Sequence, residues 1–337
     1  MEIRVIDGES ARSAPESDLA GWLAAAGDVE GDPGRAAGLL WVDVPCDDPE
    51  GERVLREVFE FDPRAVRDCL RRNPTPKFHI YDGRHVFMVL HVPYPGAQGH
   101  VHSIELDLFI GPGYLVTVHG PLNPKVDPGV AQIEVDAVAR RLSDGRWLPS
   151  SIDQLVHAVV TGLNRQMNAQ LAQLRYETWE LERQVTSGAL GDPEAFLEEM
   201  FSVRLGLQAI RTMAALNHTV YARMSRLRVL GDEARFTVKD SLDQFERVMA
   251  SADIQTEYLQ GVIEFYQTRI NTKMTVAAER LAVIAAVTLP VTALSSIMGM
   301  NVIVNDSTHW GELIVLLAVM LTMSAVLLVW ARRQGWW

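Results

Sequence analysis

Apolar residues along this chain follow three successive patterns. Up to about residue 145 they come in short runs that alternate or fill completely. From about 150 they recur at helical spacing. From 281 onward they form two uncharged stretches. Each pattern predicts a different kind of structure.

In the first region, Glu2–Ile6 and Gly38–Val44 are rich in Val, Leu and Trp and predict strands. Asp47–Phe59 and Pro63–Arg72 predict helices. Asp48 and Asp62 are positioned as N-caps and Pro49 and Pro63 as first-turn residues. Asn73-Pro74-Thr75-Pro76 breaks the helix. Lys77–Tyr81 and His85–His91 flank Asp82-Gly83, a strong hairpin signal. Glu105–Ile110 and Tyr114–His119 predict a second hairpin around Gly111-Pro112-Gly113. Val86–Val92 is apolar almost throughout, as expected of a central strand covered on both faces. The region reads as an α/β domain with a mixed sheet.

Helical spacing then takes over. Leu155, Val159, Leu163, Met167, Leu171, Leu174, Leu181 and Val185 mark one helix, ended by Ser187-Gly188. A second runs from about Glu194 to Leu227 with Phe201, Leu205, Ile210, Met213, Leu216 and Val220 as its predicted stripe. These two predict an antiparallel pair with solvated charged outer faces. A third helix begins near Val238 and meets no breaker before Pro290. Its predicted stripe is Leu242, Phe245, Val248, Met249, Ile254, Tyr258, Val262, Phe265, Ile270 and Met274. A helix this long is normally held by neighbours, so association with copies of itself is expected.

Leu281–Met300 carries no charge and, at about 1.5 Å per residue, is long enough to cross a bilayer core of about 30 Å. Leu313–Trp330 is a second such stretch, closed by Arg332 and Arg333 and two terminal Trp residues. Arg269, Lys273 and Arg280 precede the first span, so both ends of the hairpin are expected on the cytoplasmic side of a cell membrane. The spans differ. The second is nearly all large and aliphatic. The first places Thr288, Thr292, Ser295, Ser296 and Gly299 on one face, extended inward by Leu281, Ala285 and Leu289. Small residues on one face serve either tight helix packing or a pore lining. Two helices cannot enclose a pore, so the second use requires an oligomer.

Composition narrows the function classes. The chain has 337 residues, with 43 Asp+Glu against 31 Lys+Arg, which excludes the basic face of a general nucleic-acid binder. Cys46 and Cys69 form no disulfide framework or zinc spacing. MEIRVIDGES has no apolar core of a secretory signal. His79, His85, His91, His100, His102 and His119 crowd the sheet region, and either scatter through it or bring a few ligands together. No nucleophile elbow, phosphate loop, GxGxxG or HExxH is present, so no enzyme is expected.

Gly299-Met300-Asn301 directly after an apolar span, a short outer segment, and a last span ending in basic and aromatic residues resemble the CorA family of divalent metal ion transporters. Pro290 with Thr292, the stretch Pro76-Lys77-Phe78-His79-Ile80-Tyr81 with Val86-Phe87, and Tyr266–Pro290 share the resemblance. It implies an α+β chain with a membrane part, assembled as a homopentamer. The divisions are a cytosolic α/β domain over 1–148, a helical hairpin layer over 149–236, a stalk helix over 237–280, a first transmembrane helix over 281–301, an outer loop over 302–312, a second transmembrane helix over 313–330 and a cytosolic tail over 331–337. It implies that Gly299, Met300 and Asn301 form a selectivity filter, with Gly299 and Met300 shaping the turn that holds a ring of Asn301 carboxamides. Thr275, Ala278, Leu281, Leu289, Thr292 and Ser296 line the pore below. The resemblance further implies Mg²⁺ both as the transported ion, with Co²⁺ as a companion, and as a regulator held between subunits by Asp240, Asp243 and Glu264, with Asp82 as a guess for a partner across the interface.

The chain departs from the family pattern in three places. Val302–Glu312 lacks the usual acidic outer segment, leaving Asp306 and Glu312 for ion capture; Thr275 stands where Asn is frequent, and Ala278 where Met is. The zinc-transporting branch of the family and a membrane-anchored sensor without flux are the competing expectations.

Overall fold

The computed structural model describes residues 1–27, 38–45, 48–81, 85–96, 100–120, 125–127, 129–188, 192–226, 232–302 and 310–333; side chains are described for these except at 131, 232, 233, 298–302, 312 and 313. They divide into two compact units, Met1–Gln260 and Gly261–Trp337.

The first unit is built on a seven-stranded sheet in the order β2-β1-β3-β7-β6-β5-β4. Its strands are β1 (Glu2–Ile6), β2 (Ala11–Ser13), β3 (Leu39–Val44), β4 (Lys77–Tyr81), β5 (His85–Pro95), β6 (Val101–Gly111) and β7 (Tyr114–His119). β3 and β7 pair in parallel and every other pair is antiparallel, so the sheet is mixed as the sequence predicts. Both predicted hairpins form. In the second, Gly113 adopts φ +74°, and a Cβ there would stand 2.5 Å from the Ala26 carbonyl oxygen, so glycine is required twice over.

Alternation along the strands sends side chains to two buried faces. Leu40, Val42, Val44, Phe87, Val89, Phe109, Val116 and Val118 pack under Leu19 of α1 (Leu19–Gly27), Val54 and Leu55 of the turns after α2 (Gly51–Arg53), and Ala65, Val66 and Cys69 of α3 (Pro63–Cys69). The other face carries Trp41, Met88, Leu90, Leu108 and Leu115, all buried. It lies against α4 (Gly129–Ser143), α5 (Ile152–Ser187) and α6 (Pro193–Met224). The result is a three-layer α/β/α arrangement. Asp62 caps α3 as expected, accepting from the Arg64 N–H; Ser151 and Asp192, not expected as caps, accept from the Gln154 and Glu194 N–H groups. Asp48 instead accepts from the Met1 amino group at 2.5 Å and from the Glu50 N–H at 2.9 Å.

Four features depart from the expectations. The strands β5 and β6 pair over their full length, through Pro93 and Pro95, where a loop is expected. β4 covers β5 only as far as Val89, so the prolines occupy an unpaired edge that does not miss their N–H. Asn217 of α6 completes that edge: its side chain accepts from the His91 N–H at 3.1 Å and donates to the His91 carbonyl at 2.7 Å. Gln170 donates to the Pro93 carbonyl. α1, α4 and β2 are additional elements.

The stripe of α6 is displaced. Met200, Val203, Leu207, Ile210, Ala214 and Asn217 are buried, whereas Phe201 is 60% exposed. α6 has two apolar faces, and the sheet takes the one carrying small Ala214 and the edge-capping Asn217. α7 runs from Asp232 to Val302 without interruption. In its first unit it buries Val238, Ser241, Phe245, Val248 and Ala252, leaving Ile254 and Tyr258 exposed. Small Ser241 and Ala252 allow close approach on that face, which large side chains deny.

The face under α3 holds a buried acid. Asp107 is fully buried, with the Cys69 thiol and the Glu105 carboxyl as its polar neighbours. Burial and the neighbouring Glu105 carboxylate push its pKa well above the ordinary value of 3.8, and burial and Asp107 push the Cys69 thiol up in turn. Glu105 is held by the Asn73 N–H at 2.9 Å, with the His91 ring nitrogen 3.9 Å away. A raised folded-state pKa means the folded chain binds this proton more tightly than the unfolded chain. The stabilisation is complete below about pH 4 and is lost as pH rises towards the raised pKa, at up to about 1.4 kcal/mol per pH unit. Denaturation of Asp107→Asn followed between pH 4 and 8 is expected to show a shallower decline than wild type and a relative gain at the upper end. Parallel curves contradict the assignment.

Candidate functional site

The second unit contains the rest of α7 and, among the described residues, one other helix, α8 (Trp310–Arg333). Both are long and apolar enough to cross a membrane, within Ala234–Ile297 and Ile314–Arg333. On each, burial follows one stripe. On α7, Val283 is covered, and Val287, Pro290, Val291 and Leu294 are half-covered. On α8, Leu316, Met320, Met323, Ser324 and Leu327 are half-covered and Ala331 is buried. On each helix the covered positions recur at helical spacing, so they fall on one side of it.

The candidate lining residues occupy the opposite side of α7. At about 100° per residue, Thr275, Ala278, Leu281, Leu289, Thr292 and Ser296 fall within an arc of about 120°, centred on the far side from the covered stripe. All six are exposed, Leu281 at 67% and Leu289 at 66%. The hydroxyls of Thr275, Thr288 and Thr292 donate to the carbonyls of Asn271, Ile284 and Thr288 at 3.0, 2.8 and 2.8 Å. Their protons are thereby used locally, and the hydroxyl oxygens are left with acceptor lone pairs to offer to water. Pro290 lies on the covered side within an unbroken helix.

Gly299, Met300 and Asn301 do not form a turn. Their backbone continues α7 to Val302. The expectation that Gly299 and Met300 bend the chain is corrected to a final helical turn that carries all three. Their side chains, that of Glu312, and the whole of Asp306 and Asp82 lie outside the described residues.

The acidic candidates do not gather into one cluster. The Asp240 carboxylate accepts from Gln244 at 2.7 Å and lies 3.3 Å from Nε2 of His157, whose Nδ1 is 3.2 Å from the Ser241 hydroxyl. Sequence reasoning missed His157, because a contact across 83 residues between two helices carries no local signal. Asp243 is exposed one turn on and meets no partner among the described residues; Glu264 is exposed in the second unit. No group of three metal-ligating side chains occurs among the described residues; His100 and His102 pack ring to ring at 4.6 Å as a pair. His119 pairs with Asp43 at 2.9 Å in a buried chain that includes Thr117 and Trp41.

Comparison with known proteins agrees with this architecture. The profile of the family described as "CorA-like Mg2+ transporter protein" matches residues 36–333. A protein of Bacillus subtilis (strain 168) described as "Putative metal ion transporter YfjQ" is 23% identical over 306 residues, covering 88% of this chain and 89% of the relative. The complete structure of the CorA magnesium transporter from Methanocaldococcus jannaschii superposes with a TM-score of 0.78 at 16% identity, over 100% of this chain and 99% of that one. The full-length CmaX protein superposes with a TM-score of 0.73 at 16% identity, over 98% and 97%. These structural likenesses establish a shared fold. With a family match spanning most of the sequence, the chain belongs to the CorA-like Mg2+ transporter family and is a divalent metal ion transporter of that family.

Proposed function

We propose that the chain assembles as a homopentamer in the cell membrane and conducts hydrated Mg²⁺, with Co²⁺ as a second cargo, along an axis lined by the first span. Both termini lie in the cytoplasm. The observation that carries this reading is the opposition of two faces on α7: a half-covered stripe from Val283 to Leu294, and the exposed stripe from Thr275 to Ser296. A helix covered on one side and carrying hydroxyls among apolar residues on its exposed side suits a position between an outer helix and a shared channel.

The chemistry fits a hydrated ion. Mg²⁺ gives up its waters reluctantly. Threonine and serine oxygens with free lone pairs accept hydrogen bonds from those waters, and neutral Asn301 carboxamides at the outer mouth do the same without the binding strength of carboxylates. Weak, repeated sites favour conduction. A membrane potential of about 100 mV moves a divalent cation inward with roughly 4–5 kcal/mol.

Regulation by cytosolic Mg²⁺ is assigned to Asp240, Asp243 and Glu264. Carboxylates that face a neighbouring subunit repel when empty and are bridged when loaded, so falling Mg²⁺ loosens the closed assembly. Metal uptake into proteoliposomes loaded with Mg²⁺- or Zn²⁺-sensitive dyes tests the assignment of cargo. Saturable Mg²⁺ entry that Co²⁺ competes with is expected. Entry of Zn²⁺ without Mg²⁺ favours the zinc reading, and no flux of either favours the sensor.

A further inference from the structure

The face of α7 turned away from the lining stripe carries a second pattern at the boundary of its apolar span. Lys273 and Arg280 stand two turns apart, and at about 100° per residue they lie within about 20° of each other, roughly 150° round the helix from the middle of the lining arc. Both are exposed, and neither meets an acceptor among the described residues. The carboxylate of Glu279 points about 100° away from Arg280. Between the two cations runs a groove of about 590 Å³, lined by Thr272, Lys273, Val276, Ala277, Arg280 and Leu281. Its floor is aliphatic, and it opens directly into the uncharged span that begins at Leu281. α8 ends in the same way: Arg280 precedes buried Val283 by three residues, and Arg332 and Arg333 follow buried Ala331.

Cations above an aliphatic floor match one kind of ligand in particular. A phospholipid presents a phosphate beside an acyl chain. The phosphate satisfies an ammonium and a guanidinium together, and the acyl chain continues past Arg280 along the uncharged span, on the side away from Leu281. A zwitterionic headgroup brings its own cation and gains less. We propose that Lys273 and Arg280 form a binding site for the headgroup of an anionic phospholipid on the outer face of α7. This rests on the reading of 281–301 as a membrane span with its basic flank at the membrane surface. Bound lipid then sits on the side of α7 opposite the candidate lining stripe.

Native mass spectrometry of the full-length protein in detergent, titrated with palmitoyl-oleoyl phosphatidylglycerol or phosphatidylcholine, tests the site. Phosphatidylglycerol is expected to bind more tightly than phosphatidylcholine. Lys273→Gln with Arg280→Gln is expected to weaken phosphatidylglycerol binding roughly 30-fold, since each cation near an anionic headgroup contributes about fivefold. Lys273→Arg with Arg280→Lys keeps the affinity, as does removing two exposed cations elsewhere through Arg175→Gln and Arg247→Gln. Undiminished phosphatidylglycerol binding in the glutamine variant overturns the proposal. So does equal binding of phosphatidylcholine, or displacement of the lipid by an equal concentration of glycerol 3-phosphate, which marks a free phosphate site. Flotation with phosphatidylglycerol vesicles separates the two levels. A chain that fails to float overturns the membrane span, whereas one that floats with unchanged lipid affinity in the glutamine variant overturns only the lipid site.

Discussion

Asn301→Ala is expected to lower Mg²⁺ uptake by about two orders of magnitude while leaving expression and assembly intact. The substitution removes one carboxamide from each subunit at the outer end of α7. In the proposed ring each carboxamide hydrogen-bonds a water of the incoming ion. Each lost bond is worth about 1 kcal/mol, and a ring of them acts on the same ion, so several kcal/mol of stabilisation disappear at the entrance. The backbone around Asn301 is already a regular helical turn, and alanine is favoured there, so the fold has no reason to fail. Asn301→Asp gives the opposite imbalance: the ion binds more tightly and leaves more slowly, and flux falls with a lower half-saturation. Radioisotope or dye-based uptake into proteoliposomes reads both. Wild-type uptake by Asn301→Ala contradicts the role of the motif as the mouth of a pathway, and is the result expected of a sensor without flux.

Thr292→Lys is expected to abolish uptake, whereas Thr292→Val reduces it only severalfold. Thr292 lies in the exposed stripe, with its hydroxyl already donating to Thr288. Valine keeps the shape and loses the acceptor. Lysine sets an ammonium on the proposed path of a divalent cation. At about 4 Å and an effective dielectric of about 20, that contact repels by on the order of 8 kcal/mol, which closes the route. Lysine on the covered stripe, at Val287, disturbs helix packing instead and is expected to appear as poor assembly rather than as a folded but blocked protein. Retained uptake in Thr292→Lys places the ion path elsewhere.

The parts of the fold that announce themselves in the sequence are those fixed by short-range rules. β4 to β7 follow from alternation and from glycine-rich turns, and the cap at Asp62 from the preference of short polar side chains for helix starts. The continuity of α7 follows from the lack of any breaker strong enough to stop it. The parts that stay hidden depend on which of two acceptable faces the rest of the molecule selects. α6 and α7 each offer more than one apolar stripe, and the choice turns on Ala214, Ser241 and Ala252, small residues that hydrophobic periodicity undervalues. The unpaired edge of β5 is completed by Asn217, 126 residues away in sequence, and Asp240 meets His157 across two helices. Asp107 reads as an ordinary polar position in a strand until the sheet is covered on both sides. Of the candidate site, helical spacing places Thr288, Thr292, Ser295 and Ser296 on one exposed face of α7, while Thr275 and Ala278 join it only through the family resemblance. The helical backbone through Gly299-Met300-Asn301 is not legible, because a glycine next to a polar residue is an equally good signal for a turn.

The central claim is that several copies of α7 surround one path. The mass of the full-length protein, extracted in mild detergent and measured by native mass spectrometry with Mg²⁺ present, tests it most directly. The account predicts a single species at the mass of a homopentamer, loosened when Mg²⁺ is chelated. A stable monomer that still moves Mg²⁺ when returned to liposomes would contradict it.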